Sequence, residues 1–132
     1  SIKVVLPAVL KASTFLRNKY SMPVYGVPGG IESHNFANQI WYITDDQGNA
    51  INPYKLLEPV FDDIAREELD ETMVDDTIAS GGAAMTAYAR MQFTRMSNKE
   101  RELARKALLR YCELDTLAMV MIFEYWKDQI GF

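Results

Sequence analysis

Apolar and polar positions in the first twenty residues alternate with the period of an α-helix. Val5, Leu6 and Leu10 fall on one face of a first segment, and Phe15 and Tyr20 fall on one face of a second. The spacing predicts two short amphipathic helices, over residues 2–10 and 12–20. Pro7 is expected to shorten the first helix, because proline has no backbone N–H to donate.

Loop and turn signals dominate the next thirty residues. Five prolines and glycines fall between residues 21 and 38 and predict a loop. The stretch IWYIT at 40–44 is aromatic and β-branched, and the turn sequence DDQGN follows it, which predicts at most a small β-hairpin within 39–51. Asn52 and Pro53 then supply an N-cap and a first-turn proline for a helix running to Phe61.

The rest of the chain, 53–130, is predicted to be helical. Asp75 or Asp76 caps a helix that includes the small residues GGAA at 81–84, which permit close packing on another helix. Ser97 and Glu100 have the spacing of a capping box. No glycine or proline interrupts 98–130, so one long helix ending at Gly131 is expected. The predicted fold class is mainly α, with 1–132 forming a single domain or a C-terminal domain fragment.

A helical projection of the last segment gives it one apolar arc. The arc comprises Ala104, Ala107, Leu108, Tyr111, Leu114, Ala118, Met119, Ile122 and Trp126. Opposite the arc, and expected to face solvent, lie Glu102, Arg105, Lys106, Glu113, Glu124 and Lys127. Both tryptophans of the chain, Trp41 and Trp126, are expected in the core.

Asp115 interrupts this apolar arc, four residues after Tyr111 and therefore on the same side of the helix. A carboxylate in such a place is costly unless it is paired, hydrogen-bonded or bound to a metal. One interpretation is structural: Asp115 pairs with an arginine of another element and Tyr111 is a core aromatic. The other is that the two side chains belong to a site.

Composition and charge exclude several classes of protein. With 132 residues, 48% hydrophobic and 24% charged, the chain has the profile of a globular domain, and its longest apolar run is too short to span a membrane. Net charge is −4, which argues against a nucleic-acid-coating protein, although residues 62–76 are acidic and 90–110 basic. We interpret the acidic run as solvated surface.

The supply of histidine and cysteine limits the chemistry further. His34 is the only histidine and Cys112 the only cysteine, so a zinc site or a triad built on histidine is not expected. A single cysteine forms no intrachain disulfide, which favours a reducing, cytoplasmic compartment, and Cys112 is expected to be buried as a small hydrophobe.

The sequence around Asp115 also resembles a motif of a known superfamily. The segment YCELD, 111–115, resembles the third motif, Tyr-x-x-x-Asp, of the DEDD superfamily of 3'-5' exonucleases, which have a ribonuclease H-like fold. SIKVVLPAVL at the start resembles the Ser-Leu-Lys-x-Val-Leu segment that follows the second exonuclease motif, and YCELDTLAMV near the end resembles the C-terminal signature of an uncharacterised bacterial family. That family is a domain of unknown function often found behind RecB-like or Cas4-like nuclease modules, and the similarity extends over most of the chain.

The resemblance implies that Asp115 helps to hold Mg²⁺ or Mn²⁺ and that Tyr111 orients or deprotonates the attacking water. It also implies a nucleic acid as partner of a longer parent protein. The Asp-x-Glu of the first motif is absent from these 132 residues, and the second-motif aspartate would precede Ser1. The chain is therefore expected to be the helical C-terminal portion of such a domain, and to bind no metal and cleave nothing alone.

A fragment cut from its sheet is also expected to self-associate through exposed apolar residues, for which Ile2, Val5, Met119, Ile122 and Trp126 are candidates. The alternative function is non-catalytic. In that case the helices form an interaction or oligomerisation module, and Tyr111 and Asp115 are structural. Whether the parent protein is an active enzyme stays open at this stage.

Overall fold

The computed structural model describes residues 1–57 and 88–131. These residues form α1 (Ile2–Ala12), α2 (Thr14–Tyr20), a 3-10 turn (Pro53–Leu56) and α3 (Asn98–Ile130), and residues 88–93 are helical as well. The mainly helical class is confirmed. The acidic run, the start of the helix predicted from Asp75 or Asp76 and the GGAA stretch lie outside the described residues. By its contacts the chain divides into two units. They are named here for their order in the sequence: 1–56 with 113–132 is the outer unit, and 57–112 is the inner unit.

One serine and one proline shape the first two helices. The buried Ser13 Oγ accepts from the Leu16 N–H at 3.0 Å and so caps α2. Pro7 lies inside α1, which extends to Ala12 instead of being shortened. Because Pro7 cannot donate to the Lys3 carbonyl one turn earlier, that carbonyl is left for Asn52 Nδ2, which approaches it at 3.5 Å.

The loop over residues 21–38 is ordered around an aromatic cluster. Rings of Tyr25, Phe36 and Trp41 meet edge to face, with centroids 4.9 to 6.0 Å apart. Gly26 has φ +72°, and a Cβ there would lie 2.2 Å from the Phe36 carbonyl oxygen, so only glycine fits. The loop closes through the N–H groups of Trp41 and Tyr42, which both donate to the Tyr20 carbonyl.

The predicted hairpin is reduced to one turn. Thr44 and Ala50 form a single antiparallel bridge, and the Asp45 carboxylate caps the turn by accepting from the Gln47 and Asn49 N–H groups at 2.9 Å. Since Trp41 and Tyr42 donate to Tyr20 rather than along a ladder, IWYIT does not extend into a strand.

The helix predicted to begin at Asn52–Pro53 starts as a 3-10 turn. Asn52 Oδ1 accepts from the Tyr54 N–H at 3.2 Å, as its predicted role of N-cap requires. Beyond Leu57 the predicted continuation to Phe61 lies outside the described residues.

The start and end of α3 are as predicted. Ser97 Oγ accepts from the Glu100 N–H at 3.1 Å and Glu100 Oε2 accepts from the Ser97 N–H at 2.9 Å, which is the reciprocal capping box. Gly131 follows the helix with φ +71°. None of the helices over the described ranges has the length and apolar character needed to cross a membrane.

The single apolar arc predicted for α3 is wrong in its orientation. Leu114 and Ala118 are buried as expected, but Leu117 and Met121, which the arc omits, are buried too. Trp126, predicted in the core, is 57% exposed. Cys112, predicted to be buried, is also exposed. The projection assumed one apolar stripe, whereas apolar residues lie on two faces of this helix.

Trp41, fully buried among aromatic rings, is the residue whose truncation we expect to be most costly in the outer unit. Trp41→Ala should lower the free energy of unfolding by about 3–5 kcal/mol, through lost contacts and a cavity. Met22→Ala, at a position 55% exposed, should change it by less than about 0.5 kcal/mol. Urea unfolding of the three proteins measures both values, and equal effects would contradict the described core.

Candidate functional site

Both residues singled out by the exonuclease-like motif lie on α3. Tyr111 belongs to the inner unit and Asp115 to the outer unit, one helical turn further along the chain. Each side chain is half-buried.

Asp115 is hydrogen-bonded to a tyrosine. The Tyr54 hydroxyl donates to Asp115 Oδ1 at 2.5 Å. In the part of the chain that the structure describes, no lysine or arginine forms an ion pair with Asp115. The arginine partner required by the structural interpretation is therefore not found there. Tyr54 was missed by sequence reasoning, since its position in the first turn after Pro53 gives no sign of a partner 61 residues away.

Glu113 was predicted to face solvent, and this is wrong. It is half-buried and accepts three side-chain hydrogen bonds, from the Tyr25 hydroxyl at 2.6 Å, from Asn35 Nδ2 at 2.5 Å and from the Ser33 hydroxyl. Burial by itself disfavours the charged form, but the donors outweigh it and lower the pKa of Glu113 below its ordinary value of 4.5. The carboxylate is thus saturated by groups of the 21–38 loop.

Glu124, also predicted to face solvent, is the second carboxylate that contacts the N-terminal segment. It forms an ion pair with Lys19 Nζ and accepts from the Tyr20 hydroxyl at 2.7 Å. Glu113 and Glu124 are eleven residues apart, which is three helical turns, and therefore lie on the same side of α3. The helical projection correctly placed Glu113 and Glu124 on one side of the helix, but it predicted that this side faces solvent, whereas it faces the N-terminal segment.

The tyrosines that donate to these carboxylates stay protonated at neutral pH. Burial, followed by the bond to Glu124, raises the pKa of Tyr20 far above its ordinary value. Burial and the bond to Glu113 raise the pKa of Tyr25 in the same way. A phenol held beside a carboxylate is a fixed donor, because its ionisation would place two negative charges together.

A pocket of about 480 Å³ lies along the same side of α3 in the outer unit. Lys19 and Glu124 line one part of it, Ser33 and Glu113 another, and Leu117 and Val120 contribute apolar wall. Two of its carboxylates, Glu113 and Glu124, already accept from the donors described above, and the third, Glu32, is exposed. The pocket therefore offers a ligand a cavity with apolar walls more than unpaired polar groups.

A metal would need further ligands than the described residues bring together. No three side chains of histidine, cysteine, aspartate or glutamate converge within residues 1–57 and 88–131. His34 is exposed, on the rim of the pocket. Asp115 fits the donor type that Mg²⁺ and Mn²⁺ prefer, a carboxylate oxygen, as one member of a ligand set.

Comparisons with protein-family models, with curated proteins and with solved structures find nothing that matches this chain.

The hydrogen bonds to Glu113 should make the free energy of unfolding depend on pH in the acidic range. Its pKa is lower folded than unfolded, so the stabilisation is present above about pH 4.5 and is lost as pH falls through the folded pKa. Glu113→Gln should flatten this decline and lower the free energy of unfolding at pH 7 by about 1–3 kcal/mol. Urea unfolding between pH 3 and pH 7 measures the dependence. Glu32→Gln, an exposed glutamate of the same unit, should leave it unchanged.

Asp115→Asn tests whether the carboxylate has a cationic partner. An asparagine oxygen still accepts from Tyr54, and a half-buried charge is removed, so the melting temperature should stay the same or rise. Glu124→Gln, which breaks the ion pair with Lys19, should lower it. Calorimetry compares the two. A loss of about 3–5 kcal/mol for Asp115→Asn would instead indicate a broken buried salt bridge.

Proposed function

We propose that this chain contributes Tyr111 and Asp115 to metal-dependent phosphodiester hydrolysis by a larger DEDD-type, ribonuclease H-like exonuclease domain, of which it is the helical C-terminal part. The observation that carries the proposal is the state of Asp115. It is half-buried and hydrogen-bonded through one oxygen to a neutral phenol, and no lysine or arginine of the described residues neutralises it. Among the described residues, this leaves Asp115 Oδ2 available for a cation.

Asp115 Oδ2 is the atom that would bind the ion, while Oδ1 stays oriented by the Tyr54 hydroxyl. Tyr111, one turn earlier on α3, would orient the water that attacks phosphorus or help to deprotonate it. A bound Mg²⁺ or Mn²⁺ would supply a Lewis acid for the phosphate and would lower the pKa of that water. Glu113 and Glu124 have a different role, since their oxygens are occupied in holding α3 in place.

The remaining carboxylates come from the parent protein in this proposal. Since the chain lacks Asp-x-Glu, it is not expected to bind metal tightly or to cleave nucleic acid by itself. The proposed substrate of the parent protein is a nucleic acid, bound through the polypeptide that precedes Ser1. A single exposed cysteine and no possible intrachain disulfide support a cytoplasmic location.

The purified chain and its parent protein provide the test. Calorimetric titration with Mn²⁺ and a labelled-oligonucleotide assay should find no tight binding and no cleavage by the chain alone, and metal-dependent cleavage by it would contradict the proposal. The parent protein should carry Asp-x-Glu at the end of an apolar strand and should cleave with Mn²⁺.

In the parent protein, Asp115→Ala should reduce cleavage by more than about 100-fold, through loss of a metal ligand. Tyr111→Phe should reduce it by roughly 100-fold or more, through loss of the group that handles the proton of the attacking water. Asp128→Ala, at an exposed aspartate of the same helix, is the matched control and should leave the rate unchanged. Full activity after Asp115→Ala would rule the proposal out.

The second candidate is a non-catalytic interaction or oligomerisation module. A specific observation favours it: α3 carries large exposed apolar side chains in the outer unit, among them Phe123 and Trp126. A monomer rarely leaves several such residues together in water. The two candidates differ at Tyr111 and Asp115, which take part in catalysis in the first and are structural in the second.

A further inference from the structure

The C-terminal half of α3 has a second apolar face, which we call the outer stripe. It consists of Met119, Phe123, Trp126 and Ile130, whose exposed fractions are 58, 67, 57 and 67%. The spacing of four, three and four residues is that of the seam between two paired helices. No comparable regularity is expected of apolar residues scattered singly over a surface.

The outer stripe lies on the side of α3 away from the core. Leu114, Leu117 and Met121 are buried in the outer unit, about half a turn around the helix from the stripe. Glu113 and Glu124 hold the core-facing side in place through Tyr25 and Tyr20. The helix therefore cannot turn the stripe inward without breaking these bonds, so the stripe stays on the surface of the outer unit.

We propose that the outer stripe is covered by the same stripe of a second copy of this chain, with the two helices antiparallel about a two-fold axis. The stripe is self-complementary in that arrangement. If the axis passes between Glu124 and Tyr125, Met119 meets the partner's Ile130 and Phe123 meets the partner's Trp126. Each large aromatic ring is then opposite another, and each aliphatic side chain is opposite another.

The area available is sufficient for a modest dimer. Four large side chains exposed to this extent present about 500 Å² on each copy, so a dimer buries roughly 1,000 Å², near the lower limit for a specific interface. Lys127 follows Trp126 in the chain, and its aliphatic stem can pack beside the seam while its ammonium group stays in water. We expect a dissociation constant on the order of 10 µM, typical of interfaces near that limit.

The inference rests on the proposed role as an interaction module, and sedimentation equilibrium tests it first. The wild-type chain should be dimeric well above 10 µM, and Phe123→Glu should raise the dissociation constant by at least about tenfold, because the charge is buried twice in a two-fold interface. Val4→Glu, on α1 and 64% exposed, is the matched control and should leave the constant unchanged. A wild-type monomer at about 100 µM would contradict the dimer, whereas a module that binds a different partner would still be consistent with that result.

A second measurement tests the antiparallel register separately. In a Cys112→Ser background, Met119→Cys and Ile130→Cys variants are mixed and oxidised. The antiparallel dimer predicts mainly mixed disulfides between the two variants, since like positions are about 16 Å apart along the axis. Mainly self-linked Met119→Cys dimers would indicate a parallel pair. That result would overturn the proposed arrangement while leaving the module intact.

Discussion

Glutamate side chains of the last helix accept hydrogen bonds from tyrosine hydroxyls of the N-terminal segment, and the packing of the outer unit depends on these bonds. Tyr25 donates to Glu113 and Tyr20 donates to Glu124, three turns further along α3. Two bonds at that separation fix both the position and the rotation of the helix. They decide which residues reach the core, which carboxylate keeps an oxygen without a hydrogen bond from the described residues, and which apolar face stays exposed.

Local signals in the sequence predicted the helix ends well. The Ser97–Glu100 box and Gly131 act through backbone groups a few residues away, so their outcome depends little on the rest of the chain. The rotation of α3 was not predictable in that way. Apolar residues occupy two of its faces, and the choice of core face rests on partners in the 21–38 loop that are 78 to 88 residues distant in sequence.

The candidate site was predictable only in part, for the same reason. The spacing of Tyr111 and Asp115 singled out an aspartate in an apolar context, and the structure places Asp115 beside Tyr54. Asp115 differs from Glu113 and Glu124 in its hydrogen-bond partners. Two carboxylates of one helix are saturated by donors, whereas the third has one neutral partner among the described residues, which supports the proposed role as a metal ligand.

The hydrogen bonds that tyrosine hydroxyls donate to the carboxylates of α3 set the rotation of this helix. A double-mutant cycle with Tyr25→Phe and Glu113→Gln, followed by urea unfolding at pH 7, measures this most directly. A hydrogen bond to a charged group predicts a coupling energy of about 1.5–3 kcal/mol that declines as pH falls through the lowered pKa of Glu113. Effects that add to within about 0.5 kcal/mol would contradict the account.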